Sequence, residues 1–289
     1  MSTVEVDVRR QLRAQQGKDF ATALGRSLLN ALITLVVVLA LWQSVISFTT
    51  ISPFVAKGPA EVWQYLFVNE VGADADDTAA AHRSMLMDLA GTTLQDAMVG
   101  FVVGMLIAIV LATAFTLSKA VQAGVMPLAL LLRSVPLVSI APVIILLTGR
   151  GSDASVAVIG TIVVLFPALA SVMFGLSRAS QESLDLVRVY GGTSLTALLK
   201  VAIPGALPSL FAAARVSVPG AVTGALLAEW LSTGQGIGGM IQKFNASARF
   251  DELWASVAVI TLITLLLYNI VQVVENIVLA RMGMATPTS

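Results

Sequence analysis

Four ionisable residues stand out inside stretches apolar enough to cross a bilayer: Asp96, Arg133, Arg215 and Glu229. A charge at that depth is costly, so each is a candidate for function. An arginine beside a route through the membrane can hold an anionic solute through paired N–H donors. The competing roles are pairing within a helix bundle and, for Arg133 and Glu229 near the ends of their segments, reaching out to the interface. For each residue taken singly, pairing or snorkelling is the simpler account. Enzyme chemistry finds little support. There is no cysteine and His82 is the single histidine, which leaves no disulfide, thiolate metal site, nucleophile–base set or imidazole cluster. His82 itself reads as a solvated loop residue among charged neighbours. Gly234, Gly236 and Gly239 fit G-x-G-x-x-G, but no strand precedes them, so they read as a flexible exterior turn. No G-x-x-x-x-G-K-[ST] run is present. Any ATP that drives this chain is therefore bound and hydrolysed elsewhere.

The elements that must position these residues follow from composition. Of 289 residues, 57% are hydrophobic and 12% charged, which places the chain among integral membrane proteins. A net charge of zero points away from nucleic acid. The apolar run at 28–48 is about 30 Å long as a helix, enough to cross the hydrocarbon. Hydropathy then predicts an all-α protein of about six spans, at 28–48, 89–117, 120–147, 154–176, 208–231 and 253–279. Residues 1–27 and 281–289 are expected as cytoplasmic tails, and 49–88 as an exterior segment with Asp74, Asp76 and Asp77 in a small-residue loop. Ten of the 17 Lys and Arg residues fall on the side of the tails and five on the other, in keeping with both ends inside.

Two features of these spans stand out. Gly100, Gly104, Ala108 and Ala112 recur every four residues, and Gly220, Gly224 and Ala228 repeat the device. Small residues on one face let helix backbones approach closely. Pro127, Pro136 and Pro142 interrupt the third span. They bend the helix and free carbonyls that Ser134 and Ser139 are placed to satisfy.

Residues 180–208 form the longest stretch in the second half able to fold outside the membrane. Leu184, Val187 and Tyr190, then Leu195, Leu198 and Leu199, recur at helical spacing. Gly191-Gly192 between the halves predicts a corner rather than one long helix. Ser180 is placed to cap the first helix and Thr193 the second, with Pro204 expected to end it. The result is a stiff, bent lever with a bare glycine at its tip.

Asp185-Leu186-Val187, then Gly191, then Val201-Ala202-Ile203-Pro204 resembles the EAA loop of bacterial binding-protein-dependent ABC importer permeases. The Gly, the Pro and their spacing are kept, while Asp185 replaces the usual Glu and Leu186-Val187 the two alanines. The segment 132–142 and the turn at 149–153 resemble the nitrate/sulfonate/taurine-type subgroup, so the resemblance covers roughly residues 89–280. It implies a coupling loop at 180–207 that receives work from a separate ATPase dimer. Asp185, Arg188, Tyr190, Gly191 and Thr193 would be its contacts or caps, and Pro204 would fix the exit. It further implies a second permease chain, identical or paralogous, an exterior solute-binding protein, and ATP and Mg held by the ATPase rather than by this chain. An ion-coupled secondary transporter is the alternative, although such proteins usually carry an internal repeat and none is evident here. A membrane-embedded enzyme is the third class.

Overall fold

Lipid offers no water to a peptide group, so a chain of this composition must satisfy its backbone within helices. The computed structural model bears this out, with no strand among the described residues. It describes residues 25, 29, 32–69 and 78–283, without the side chains of residues 132 and 133. Most of the expected tail at 1–27, the start of the first span, Asp74, Asp76, Asp77 and residues 284–289 lie outside the described residues.

The chain divides into two units at Glu61–Val62. In the first, helix α1 (Leu32–Phe48) is apolar and mostly exposed. Trp42 Nε1 donates to the Lys57 carbonyl at 3.1 Å. Helix α2 (Pro59–Phe67) starts with proline at its first position, where a missing N–H costs nothing. Glu61 Oε2 accepts from the Gly58 N–H at 3.0 Å, closing that end.

The second unit continues through α3 (Ala79–Leu117), α4 (Lys119–Ser134), α5 (Leu137–Thr148), α6 (Asp153–Ser177) and α7 (Gln181–Val189). It ends with α8 (Ser194–Thr233), α9 (Gly236–Ala246) and α10 (Phe250–Arg281). Helices α3, α6, α8 and α10 are long and apolar enough to cross a membrane. The third expected span corresponds instead to two shorter apolar helices, α4 and α5, and α1 is the described part of the first.

Three departures from expectation have physical causes. The third span is two helices, because Val135 precedes Pro136 and is held extended at φ −79, ψ 123, as a following proline ring demands. Ser134 does donate to a freed carbonyl, that of Leu131, at 2.7 Å; Ser139 is exposed. The second span begins ten residues early, so α3 is 39 residues long, about 58 Å. His82 consequently lies in the first turn of a helix rather than in a loop. Its ring stacks on Tyr65 at 4.0 Å and its Nδ1 meets the Tyr65 carbonyl at 3.0 Å. Arg83 donates to the Leu66 carbonyl at 2.6 Å. Together these two residues fill the open carbonyl end of α2.

The core is where α3, α6 and α8 cross, and glycine sets the spacing. A Cβ on Gly100 of α3 would lie 2.8 Å from the backbone of Gly160 in α6. One on Gly224 of α8 would lie 3.0 Å from the Gly160 Cα. Both small-residue faces therefore converge on Gly160, which the spacing argument does not single out. Around it pack Ala97, Ala108, Val164, Ala221 and Ala225, all buried.

Gly160→Val is expected to destabilise the permease fold by at least about 1–3 kcal/mol, because its Cβ would lie 3.0 Å from the Gly100 Cα, and backbone cannot retreat as a flexible side chain can. Gly220→Ala should be nearly neutral, since its Cβ would meet Val163 Cγ1 at an ordinary 3.5 Å. Thermal unfolding of the two variants in detergent separates these outcomes.

Candidate functional site

The lever predicted at 180–207 is present and its corner is built by local hydrogen bonds. Ser180 Oγ accepts from the Ser183 N–H at 3.2 Å and Thr193 Oγ1 from the Thr196 N–H at 3.2 Å. Gly191 adopts φ 80. Its N–H donates to the Arg188 carbonyl at 2.9 Å, and that of Gly192 to Val187 at 2.8 Å. This is the two-bond helix stop that a glycine in the left-handed region permits. Asp185 and Arg188 pair with each other at 2.8 Å on the exposed face. No residue of α7 is buried. At the tip Val189 and Tyr190 are 83% and 84% exposed.

Pro204 does not end the second half of the lever. Helix α8 runs unbroken from the corner for 40 residues, through a wide π-turn at Leu198–Ala202. There the Ile203 N–H reaches back to the Leu198 carbonyl. Widening the turn just before a proline accommodates both its ring and its missing donor. Pro204 thus sits inside α8, and the expected boundary at 207–208 does not exist.

The C-terminal end of α8 closes on Glu229. This residue is fully buried rather than snorkelling. It opens a second π-turn, Glu229–Thr233, which Gly234 stops at φ 66. Its Oε2 accepts from Thr93 Oγ1 of α3 at 3.0 Å and from the Gly238 N–H of α9 at 2.8 Å. Thr93 in turn accepts from the Ile237 N–H at 2.9 Å. Asp96, half-buried one turn beyond Thr93, presents its carboxyl to the same group. The Gly-rich segment is therefore no flexible turn. It is a helix, α9, whose Gly236, Gly238 and Gly239 are buried. A Cβ on Gly236 would strike the Glu229 carboxylate, and one on Gly238 the Leu226 carbonyl. On the opposite side Ser232 accepts from the Gly151 N–H at 3.0 Å and shares a hydrogen bond with Ser155 at 2.8 Å.

Arg215 lies on α8 between these ends and pairs with Glu275 of α10 at 3.2 Å. Its guanidinium also lies over the Tyr268 ring, 5.9 Å from the centroid. The side chain of Arg133 lies outside those described. Of the four ionisable candidates, the structure brings Asp96 and Glu229 together and leaves Arg215 on a separate face.

Residues 100–284 match the family described as the binding-protein-dependent transport system inner membrane component. The chain belongs to that family. It is a multi-pass ABC importer permease. A probable ABC transporter permease protein of Haemophilus influenzae is 29% identical over 83% of this chain and 93% of that protein. The taurine transport system permease protein of Escherichia coli is 25% identical over 84% and 86%. A crystal structure of an amino acid ABC transporter with histidines superposes with a TM-score of 0.55 at 14% identity, covering 68% of the permease and 95% of that chain. That likeness concerns the fold.

Sequence reasoning missed several residues of the permease that these contacts reveal. Glu275 was obscured by its place near the end of a long apolar run, and Thr93 and Gly238 carry no signal until α3, α8 and α9 are folded together. Glu229→Ala is expected to cost at least about 1–3 kcal/mol by orphaning the buried Gly238 N–H. Glu229→Gln, which keeps an acceptor oxygen, should cost less. Hydrogen exchange along α9 reports both, with faster exchange at Gly238 in the alanine variant.

Proposed function

We propose that this permease imports a small solute across the bacterial cytoplasmic membrane, with both ends of the chain in the cytoplasm. A second permease chain, identical or paralogous, completes the route within the surrounding lipid. An ABC ATPase dimer, holding ATP and Mg, docks on the α7–α8 corner, and an exterior solute-binding protein delivers the solute. The observation that carries this reading is the exposed tip of the lever. Val189 and Tyr190 stand in the open beside a glycine-stopped helix end, and two such side chains held side by side on a rigid support offer a partner an apolar contact. Gly191 lets the ATPase surface come close. Asp185, Arg188 and Thr193 support or flank the contact, and Pro204 holds the first turn of α8 beyond its π-turn. Nitrate-, sulfonate- or taurine-like anions, or vitamin-precursor-like molecules, are the solute classes that the resemblance implies.

Coupling is mechanical in this reading. Closure of the ATPases displaces the corner, and α8 carries that displacement toward the outer face as a rigid body. Val189→Asp places a charge in the contact without touching the core. In proteoliposomes holding the whole complex, uptake and binding-protein-stimulated ATP hydrolysis should fall by about tenfold or more, equivalent to at least about 1.4 kcal/mol of docking energy. The unfolding temperature should stay unchanged. Uptake that persists without any ATPase, driven by a proton or sodium gradient, would overturn the proposal.

A further inference from the structure

The two oxygens of the Glu229 carboxyl are unequally served. Oε2 accepts from Thr93 Oγ1 and from the Gly238 N–H, whereas Oε1 is buried and meets no donor among the described residues. The side chain is 0% exposed, so Oε1 has given up its hydration with nothing in return. Besides Thr93 and Gly238, the group within hydrogen-bonding reach of this carboxyl is that of Asp96 on α3. Two ionised carboxylates offer each other acceptors only, and they repel.

We propose that Asp96 and Glu229 form a proton-binding site, in which one proton held between the two carboxyls fastens α3 to the junction of α8 and α9. That proton turns a contact of acceptors into an O–H···O hydrogen bond and gives Oε1 the partner it lacks. The surroundings leave no other way to offset a double negative charge. On α6 the nearest charge is Asp153, also negative, which acts on Asp96. Asp88 of α3 and Lys243 of α9 are exposed. Arg249 is engaged by Glu252 at the start of α10, 2.6 Å away. Arg150, after α5, borders Leu231, which points away from Glu229 two residues along the π-turn. A metal ion fits poorly. Hard cations take six or more oxygens, and no third acidic or imidazole group joins the pair among the described residues. Gly236 also lies so close to the carboxylate that a Cβ there would strike both oxygens, which leaves no room on that side for a hydrated ion.

The test uses infrared spectra of the detergent-solubilised full chain at neutral pH, where a protonated carboxyl and a carboxylate absorb separately. Asp96→Asn and Glu229→Gln each put an amide N–H where the proton was and leave the remaining carboxyl free to ionise. The difference between the wild type and either variant should therefore contain a protonated-carboxyl band and no carboxylate band. Both variants should stay folded at neutral pH. The folded pair holds a proton that the separated carboxyls of the unfolded chain release, so stability falls as pH rises. The unfolding temperature of the wild type should accordingly drop from neutral to alkaline pH by more than that of either variant. Loss of a carboxylate band in either variant, whether from two ionised groups or from a proton resident on one residue alone, overturns the proposal. So do coincident pH dependences of the three proteins. A rise in the wild-type unfolding temperature when sodium replaces choline at constant chloride would assign the site to a metal cation and overturn it as well.

Discussion

The close approach of three helices at Gly160 is the constraint on which the remaining structure depends. Lipid tails are as apolar as leucine, so helices in a bilayer gain nothing by hiding greasy faces from it. They associate through van der Waals packing, which is strongest when backbones nearly touch. Gly100 and Gly224 meet Gly160 from two sides, and the alanines on the same faces of α3 and α8 extend both seams. Spread those helices by one methyl group and the polar contacts further out lose their distances. Thr93 would no longer reach Glu229, although neither residue touches a seam glycine.

Helix α8 takes part in every functional feature. Its N-terminal end continues the glycine-stopped corner, its middle carries Arg215 toward α10, and its C-terminal end opens into the π-turn that Glu229 anchors. The two ends differ in kind. The N-terminal one is exposed and held by local caps, whereas the C-terminal one is buried and held by hydrogen bonds to α3, α6 and α9. An exposed end suits exchange of partners, and a buried one suits a fixed grip on neighbouring helices.

What could be read from the residues divides along the same line. The corner was legible because its determinants are local: Ser180 and Thr193 cap within three residues, and Gly191 needs only its own backbone angle. The fourth and sixth spans were legible from hydropathy. Pro204 misled because a proline reads as a stop unless a π-turn upstream absorbs its ring, and that turn has no sequence mark. The glycines at 234–239 misled more seriously. Composition says flexible there, whereas the missing side chains make room for the Glu229 carboxylate and the Leu226 carbonyl. Val135 explains the split third span, since the effect of a proline falls on the residue before it. The Arg215–Glu275 pair joins residues sixty positions apart, and no local pattern announces it.

The unbroken course of α8 has a consequence for how such a chain can change over evolutionary time. Each residue of an α-helix turns the chain by about 100° and advances it 1.5 Å. One residue inserted between the two π-turns would rotate the Glu229 end by about that angle against the corner. Seven would restore the phase to within about 20° but lengthen the rod by about 10 Å. Neither change keeps both attachments as they stand, so the length from Ile203 to Ala228 acts like a dimension on an engineering drawing. A change in it has to be absorbed by a compensating adjustment, such as a gained or lost π-turn.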